Sequence, residues 1–188
     1  MSLALGTAGL VLGLAASILG VAAAVSGLRG RTDRLLVLRP IAIVGLLGAM
    51  ASFAAMEIAL LTNDTTVRFV AEHGSSKTPF PFSAATLWSA LEGSILLWAL
   101  ILCGYTVAVA NKFRDRLRDP LVGWAMLVMF SVAIFFFALM LGPARPFVAY
   151  SPAPGFDGPG PNVLLQNHIL MAFHPPMLYL GYVGFTVP

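Results

Sequence analysis

In this 188-residue sequence the side chains with chemical potential are few: three histidines, and two glutamates set within apolar runs. His174 stands directly before Pro175 and Pro176 in the stretch FHPPMLYLGYVG. The residue before a proline is pushed out of helical geometry into extended backbone. Proline itself suits the first turn of a helix, where its missing N–H is no loss. The pair therefore predicts a helix that opens at Pro175, with His174 at its mouth. The partial positive charge of a helix N-terminus disfavours imidazolium, and neutral imidazole is the form that binds a metal. No second ligand is visible in the sequence to complete a metal site, so on the residues alone His174 reads either as a ligand or as a structural, hydrated ring. His73, in the polar run EHGSSK, reads as a solvated loop residue.

Glu57 and Glu92 carry the other chemistry. A carboxylate inside a bilayer span is costly to charge, so such residues face a cavity, a partner or a proton path, or stay protonated and bonded to a neighbouring helix. Each is expected about one and a half turns inside the outer end of its helix. Successive spans run antiparallel, so the two could share one outward-facing polar pocket. Trp88 and Trp98 flank Glu92, and in a continuous helix Trp88 lies one turn away on the same face. Trp88 then reads as an interfacial anchor or as a wall on which a cofactor stacks.

These residues sit in a chain that is 59% hydrophobic and 10% charged, with a mean hydropathy of +0.88. A soluble domain carries roughly 25% charged residues, so this one cannot cover a water-facing surface and belongs in a membrane. The net charge of +3 comes from basic residues in short loops between apolar runs, a topology signal rather than a nucleic-acid footprint. Cys103 is the one cysteine and lies in an apolar run, which excludes a disulfide framework or a thiol-pair motif.

Crossing a bilayer takes about 20 apolar residues. Leu3–Gly27, Ile41–Thr62, Ala84–Ala110 and Leu121–Gly142 qualify, and Pro175 opens a fifth run too short to cross. The first lacks the basic n-region of a cleavable signal and is expected to remain as a helix, whose Gly9, Gly13 and Ser17 lie on one face and admit a close neighbour. The fold class is thus all-α: a polytopic helical bundle with four complete transmembrane helices plus the start of a fifth. Loops 28–40 and 111–120 hold eight of the eleven basic residues, against three in loops 63–83 and 143–174. The positive-inside rule then puts the N-terminus and the latter two loops outside. The Pro- and Gly-dense stretch 142–162 cannot run as helix, while 163–173 suits a short helix in the membrane interface.

Three segments taken together resemble the CcmF/NrfE-type cytochrome c haem lyases of System I cytochrome c biogenesis. They are TNDTTVRFVAEHGSS (62–76), TLWSALEGSILLW (86–98) and NVLLQNHILMAFHPPMLYLGYVGF (162–185). The resemblance implies that residues 1–188 form the amino-terminal transmembrane portion of such a protein, stopping before the family's tryptophan-rich haem segment. It implies a multi-pass protein of the inner membrane that takes b-type haem as its substrate from the chaperone CcmE. The haem is then presented to apocytochrome c on the outer face, together with CcmH, as a haem lyase component. It also implies that His174 is an axial ligand of the haem iron, with Trp88, Glu92 and Glu57 as a pocket around it. Haem relay without bond formation, and a purely structural membrane subunit, are the alternatives. His168 receives no role.

Overall fold

The computed structural model describes residues 1–162 and 168–188, so the first five residues of the segment 163–173 expected as an interfacial helix, 163–167, lie outside the described residues. Seven α-helices follow one another: α1 Ser2–Leu28, α2 Leu38–Leu61, α3 Arg68–His73, α4 Phe80–Ala85, α5 Leu91–Lys112, α6 Pro120–Leu141 and α7 Leu170–Gly184. Short 3-10 turns precede α2 (Thr32–Val37), α5 (Thr86–Ser89) and α6 (Arg114–Arg116). No strand occurs among the described residues beyond one isolated antiparallel bridge, Val67 to Ala149. Among the described residues four helices, α1, α2, α5 and α6, are long and apolar enough to cross a membrane. At 15 residues α7 rises about 22 Å, short of the roughly 30 Å hydrocarbon core. The all-helical bundle expected from hydropathy is therefore what forms, and the chain is a multi-pass membrane protein.

Small residues decide how these helices meet. Lipid tails are as apolar as leucine, so packing between spans depends on close van der Waals approach and on hydrogen bonds. A Cβ placed on Gly9 would lie 2.6 Å from the Gly48 carbonyl, so α1 and α2 touch backbone to backbone. Ser52 of α2 adds a hydroxyl that donates to the Gly6 carbonyl at 2.9 Å. The small face expected on the first helix is the one used. On the same helix Gly13 receives the ring of Phe137 from α6, and Ser17 is buried with its hydroxyl bonded to the Gly13 carbonyl.

The loops segregate to the two ends of the bundle. At one end the basic segments are tied together: Arg39 donates to Asn111 at 2.7 Å and Arg118 pairs with Asp33 at 2.8 Å. Asp119 caps α6 by accepting from the Leu121 N–H, with Pro120 fitting the first turn. At the other end the segments 63–76 and 142–160 pair through Arg68 N–H to Val148 C=O, Tyr150 N–H to Thr66 C=O and Gly160 N–H to Gly74 C=O. Stretch 142–162 is thus non-helical, as its prolines require, and hydrogen-bonded across the bundle end as a cover.

Asp157 is the fastening of that cover. Its carboxylate accepts from Ser76 N–H (2.9 Å), Ser76 Oγ (2.8 Å), Asn63 Nδ2 (3.0 Å) and Ser75 Oγ (3.2 Å). The Ser76 bonds above all hold its pKa down at about 2. A carboxyl depressed in the folded state adds stability above its unfolded pKa, near 4, which is lost as pH falls through the folded value. Amide exchange at Ser76 and Gly160, corrected for intrinsic rates, is therefore expected to be slow from neutral pH to about pH 4 and to accelerate between about pH 4 and pH 2. Asp157→Ala should show the fast exchange already at pH 7. Protection in that variant equal to the parent's would mean the carboxylate does not hold the cover.

Candidate functional site

Three sequence expectations change at the covered end. The third span begins at Leu91, not Ala84, because residues 80–89 fold as the separate helix α4 and a 3-10 turn. Ala90 between them is extended (φ −125°, ψ 161°). The physical reason lies at Gly93, where a Cβ would fall on the Leu87 carbonyl oxygen. The 3-10 turn folds back onto the start of α5, and only a glycine leaves room for it. Glu92 consequently sits in the first turn of α5, at the mouth of the helix, where a carboxylate is favoured by the helix N-terminus. Trp88 belongs to the turn before the break, so it does not share a helix face with Glu92.

The second change concerns His174. Helix α7 begins at Leu170, and His174 is its fifth residue, inside the helix rather than extended at its mouth. Pro175 and Pro176 lie within the second turn. A proline there lacks the N–H that would bond the carbonyl four residues earlier, and Pro175 so strands the carbonyl of Met171. The indole N–H of Trp88 donates to that carbonyl at 2.9 Å. A side chain 83 positions away in sequence thus makes the bond the proline cannot, and the helix runs through. The positive end of the helix, whose effect fades within the first turn, is correspondingly displaced toward Leu170. There the His168 Nδ1 accepts from the Leu170 N–H at 3.3 Å.

The third is His73, which is part of α3 and half-buried, its Nδ1 at 3.1 Å from the Phe69 carbonyl and its ring 4.8 Å from that of Phe69. It is a packed ring, not a solvated one.

Helix α7 leans on the Thr86–Ser89 turn and on α5. Trp88 holds its first turn, the Trp98 ring meets Tyr179 at 5.6 Å, and Tyr105 Oη donates to the Leu180 carbonyl at 2.9 Å. Val183 is buried in the same contact. His174 is exposed, as are Leu170, Met177, Leu178 and Gly181. At a helical repeat of about 100° per residue these positions lie on one stripe, facing away from the bundle. A Cβ at Gly181 would meet nothing within 4 Å. The stripe is an apolar strip with one imidazole and open room beneath it. Glu57 lies four residues before the end of α2, half-buried, with its Oε2 buried and without a hydrogen-bond partner, so it does not bond Glu92 through that atom. Among the described residues no group of three His, Cys, Asp or Glu gathers as a metal centre. Sequence reasoning overlooked Tyr105, Tyr179 and Asp157; a tyrosine in an apolar span needs a partner for its hydroxyl, and that signal was available at Tyr105.

Residues 88–188, just over half of the chain, match the family model described as cytochrome c assembly protein. The chain belongs to that family. It is 39% identical over 136 residues to the cytochrome c-type biogenesis protein CcmF of Pseudomonas fluorescens, covering 72% of this chain and 20% of the relative. It is 39% identical over 146 residues to CycK, a cytochrome c-type biogenesis protein of Rhizobium meliloti (strain 1021), covering 78% of this chain and 21% of the relative. The solved structure of Cytochrome c Heme Lyase CcmF superposes with a TM-score of 0.85 at 36% identity, over 100% of this chain and 29% of that one. The chain thus spans about a fifth of the length of the curated relatives it matches.

Proposed function

We propose that this chain acts in cytochrome c maturation, holding substrate haem at the covered end of the bundle and presenting it for attachment to an apocytochrome. The observation that carries this reading is the exposed imidazole of His174 set in the apolar stripe of α7. A haem is a flat apolar ring with an iron that accepts imidazole nitrogen along its axis, and the stripe offers that pairing, with Gly181 leaving space for the ring edge. One histidine supplies one axial bond. Trp88 and Glu92, adjoining at the start of α5, form the neighbouring wall, and Glu57 adds a polar group from α2. The haem is a b-type haem arriving from a chaperone of the CcmE kind, and an apocytochrome-binding subunit of the CcmH kind supplies the thiols. The covered end then faces the outer side of the inner membrane, a reading that the distribution of basic residues supports.

The bond-forming step is an addition. Each cysteine S–H adds across a vinyl C=C of the haem, so the S–C and C–H bonds form and nothing leaves. The reactive groups are the haem's and the thiol's, and the protein's share is to hold and orient them. A second reading, relay of haem without bond formation, shares the same ligand and differs in product. The complete maturation assembly, given haem-loaded chaperone and apocytochrome, is expected to yield haem that survives acid–acetone extraction. Haem that extracts fully would favour relay and overturn the lyase role.

A further inference from the structure

We propose that Trp88 is a positioning residue for His174, acting through the carbonyl of Met171. The stranding of that carbonyl follows from covalent structure: Pro175 has no N–H to donate to it. Met171 is buried, and an unpaired carbonyl in a membrane protein's apolar interior is costly. The indole N–H at 2.9 Å is the partner it finds. Trp88 is in turn fixed by its own surroundings, since Leu87 is fully buried beside it and the turn is seated over Gly93. The arrangement sets the axial position and rotation of the first turn of α7, three residues before the imidazole. The lower anchors, Trp98 on Tyr179 and Tyr105 on the Leu180 carbonyl, hold the helix farther along, α4 also packs against it, and Trp88 supplies the hydrogen bond to its first turn.

The proline–tryptophan pairing has a direct consequence. A helix closed by its own N–H at residue 175 would not need Trp88, so a tether from the α5 side exists only because proline stands there. The orientation of His174 is thereby coupled to the turn Thr86–Ser89 rather than to α7 alone. This rests on the haem-ligand reading for its functional half, while the hydrogen-bond exchange is measurable without haem.

The test uses the protein in lipid nanodiscs with 15N-labelled tryptophan, whose three indole signals are assigned by substitution. In the parent, the Trp88 indole proton is expected downfield and protected from exchange. In Pro175→Ala the restored backbone N–H competes for the Met171 carbonyl, so the signal moves upfield and exchanges about tenfold faster. An unmoved signal overturns the proposal without any change to Trp88 itself. Haem titration supplies the second arm. Trp88→Phe keeps the apolar bulk and loses the donor; it is expected to weaken haem binding about three- to tenfold with Pro175 present and less than about twofold in the Pro175→Ala background. Equal losses in both backgrounds overturn positioning. An indole response accompanied by haem binding indifferent to His174→Ala overturns the ligand reading and leaves the hydrogen-bond exchange standing.

Discussion

Replacing His174 with alanine is expected to lower haem occupancy of the assembled protein by at least about tenfold, with the Soret band shifting or collapsing, and added imidazole should restore part of both. Under the proposed ligand role the size follows from losing an axial bond outright, since disturbing groups that merely support a metal ligand already costs 10- to 100-fold in affinity. The cause can be separated from misfolding because His174 is exposed and lies inside a helix. Alanine is the best helix former, so α7 keeps its course and only the ring is removed. Free imidazole then has both the vacated volume and the right chemistry. Full haem with an unchanged absorption spectrum in the variant would remove His174 from the site.

The second large effect is expected at Gly93→Ala, and its sign opposes intuition. By helix propensity alone, glycine to alanine gains about 1 kcal/mol. Here the new methyl would fall on the Leu87 carbonyl, backbone of a fully buried residue. The tip of the Phe69 ring lies farther off, at 3.0 Å, so the clash that must be relieved is with backbone. Relief requires the Thr86–Ser89 turn to lift from α5, and overpacking of this kind costs about 1–3 kcal/mol or more. The turn carries Trp88, so the bond to Met171 stretches with it. Thermal or detergent unfolding in a membrane mimetic should show a destabilised protein, and the Trp88 indole signal should move as it does in Pro175→Ala. A variant as stable as the parent would mean the turn is not seated where the contact places it.

Both predictions sit where sequence and structure diverge, and the divergence has one origin. The four spans were legible because hydropathy over some twenty residues is a property of the local chain. So was the small face of α1, where Gly9 meets Gly48. The end of the third span was not legible: ATLWSALEGS is apolar enough to continue a helix, and only the return of Leu87 over Gly93 explains the break at Ala90. At His174 local rules pointed the wrong way, since proline ordinarily drives its predecessor out of the helix. The override comes from Trp88, and no local reading weighs a donor that far along the chain. Local pattern placed His174 at the right end of the bundle and left its backbone to tertiary contact.

The seam between α1 and α2 bears on how such a protein can move. Where two helices meet main chain to main chain, as Gly9 and Gly48 do, only the short Ser52 hydroxyl lies between them, and it is itself bonded to the Gly6 carbonyl. That pair shifts as one rigid body or not at all. Helix α7 is attached differently, through an indole, a ring contact and a phenol, with α4 also packed against it. Side-chain anchors can be released one by one at modest cost, so among the described helices the compliance resides in α7, while the α1–α2 seam stays fixed.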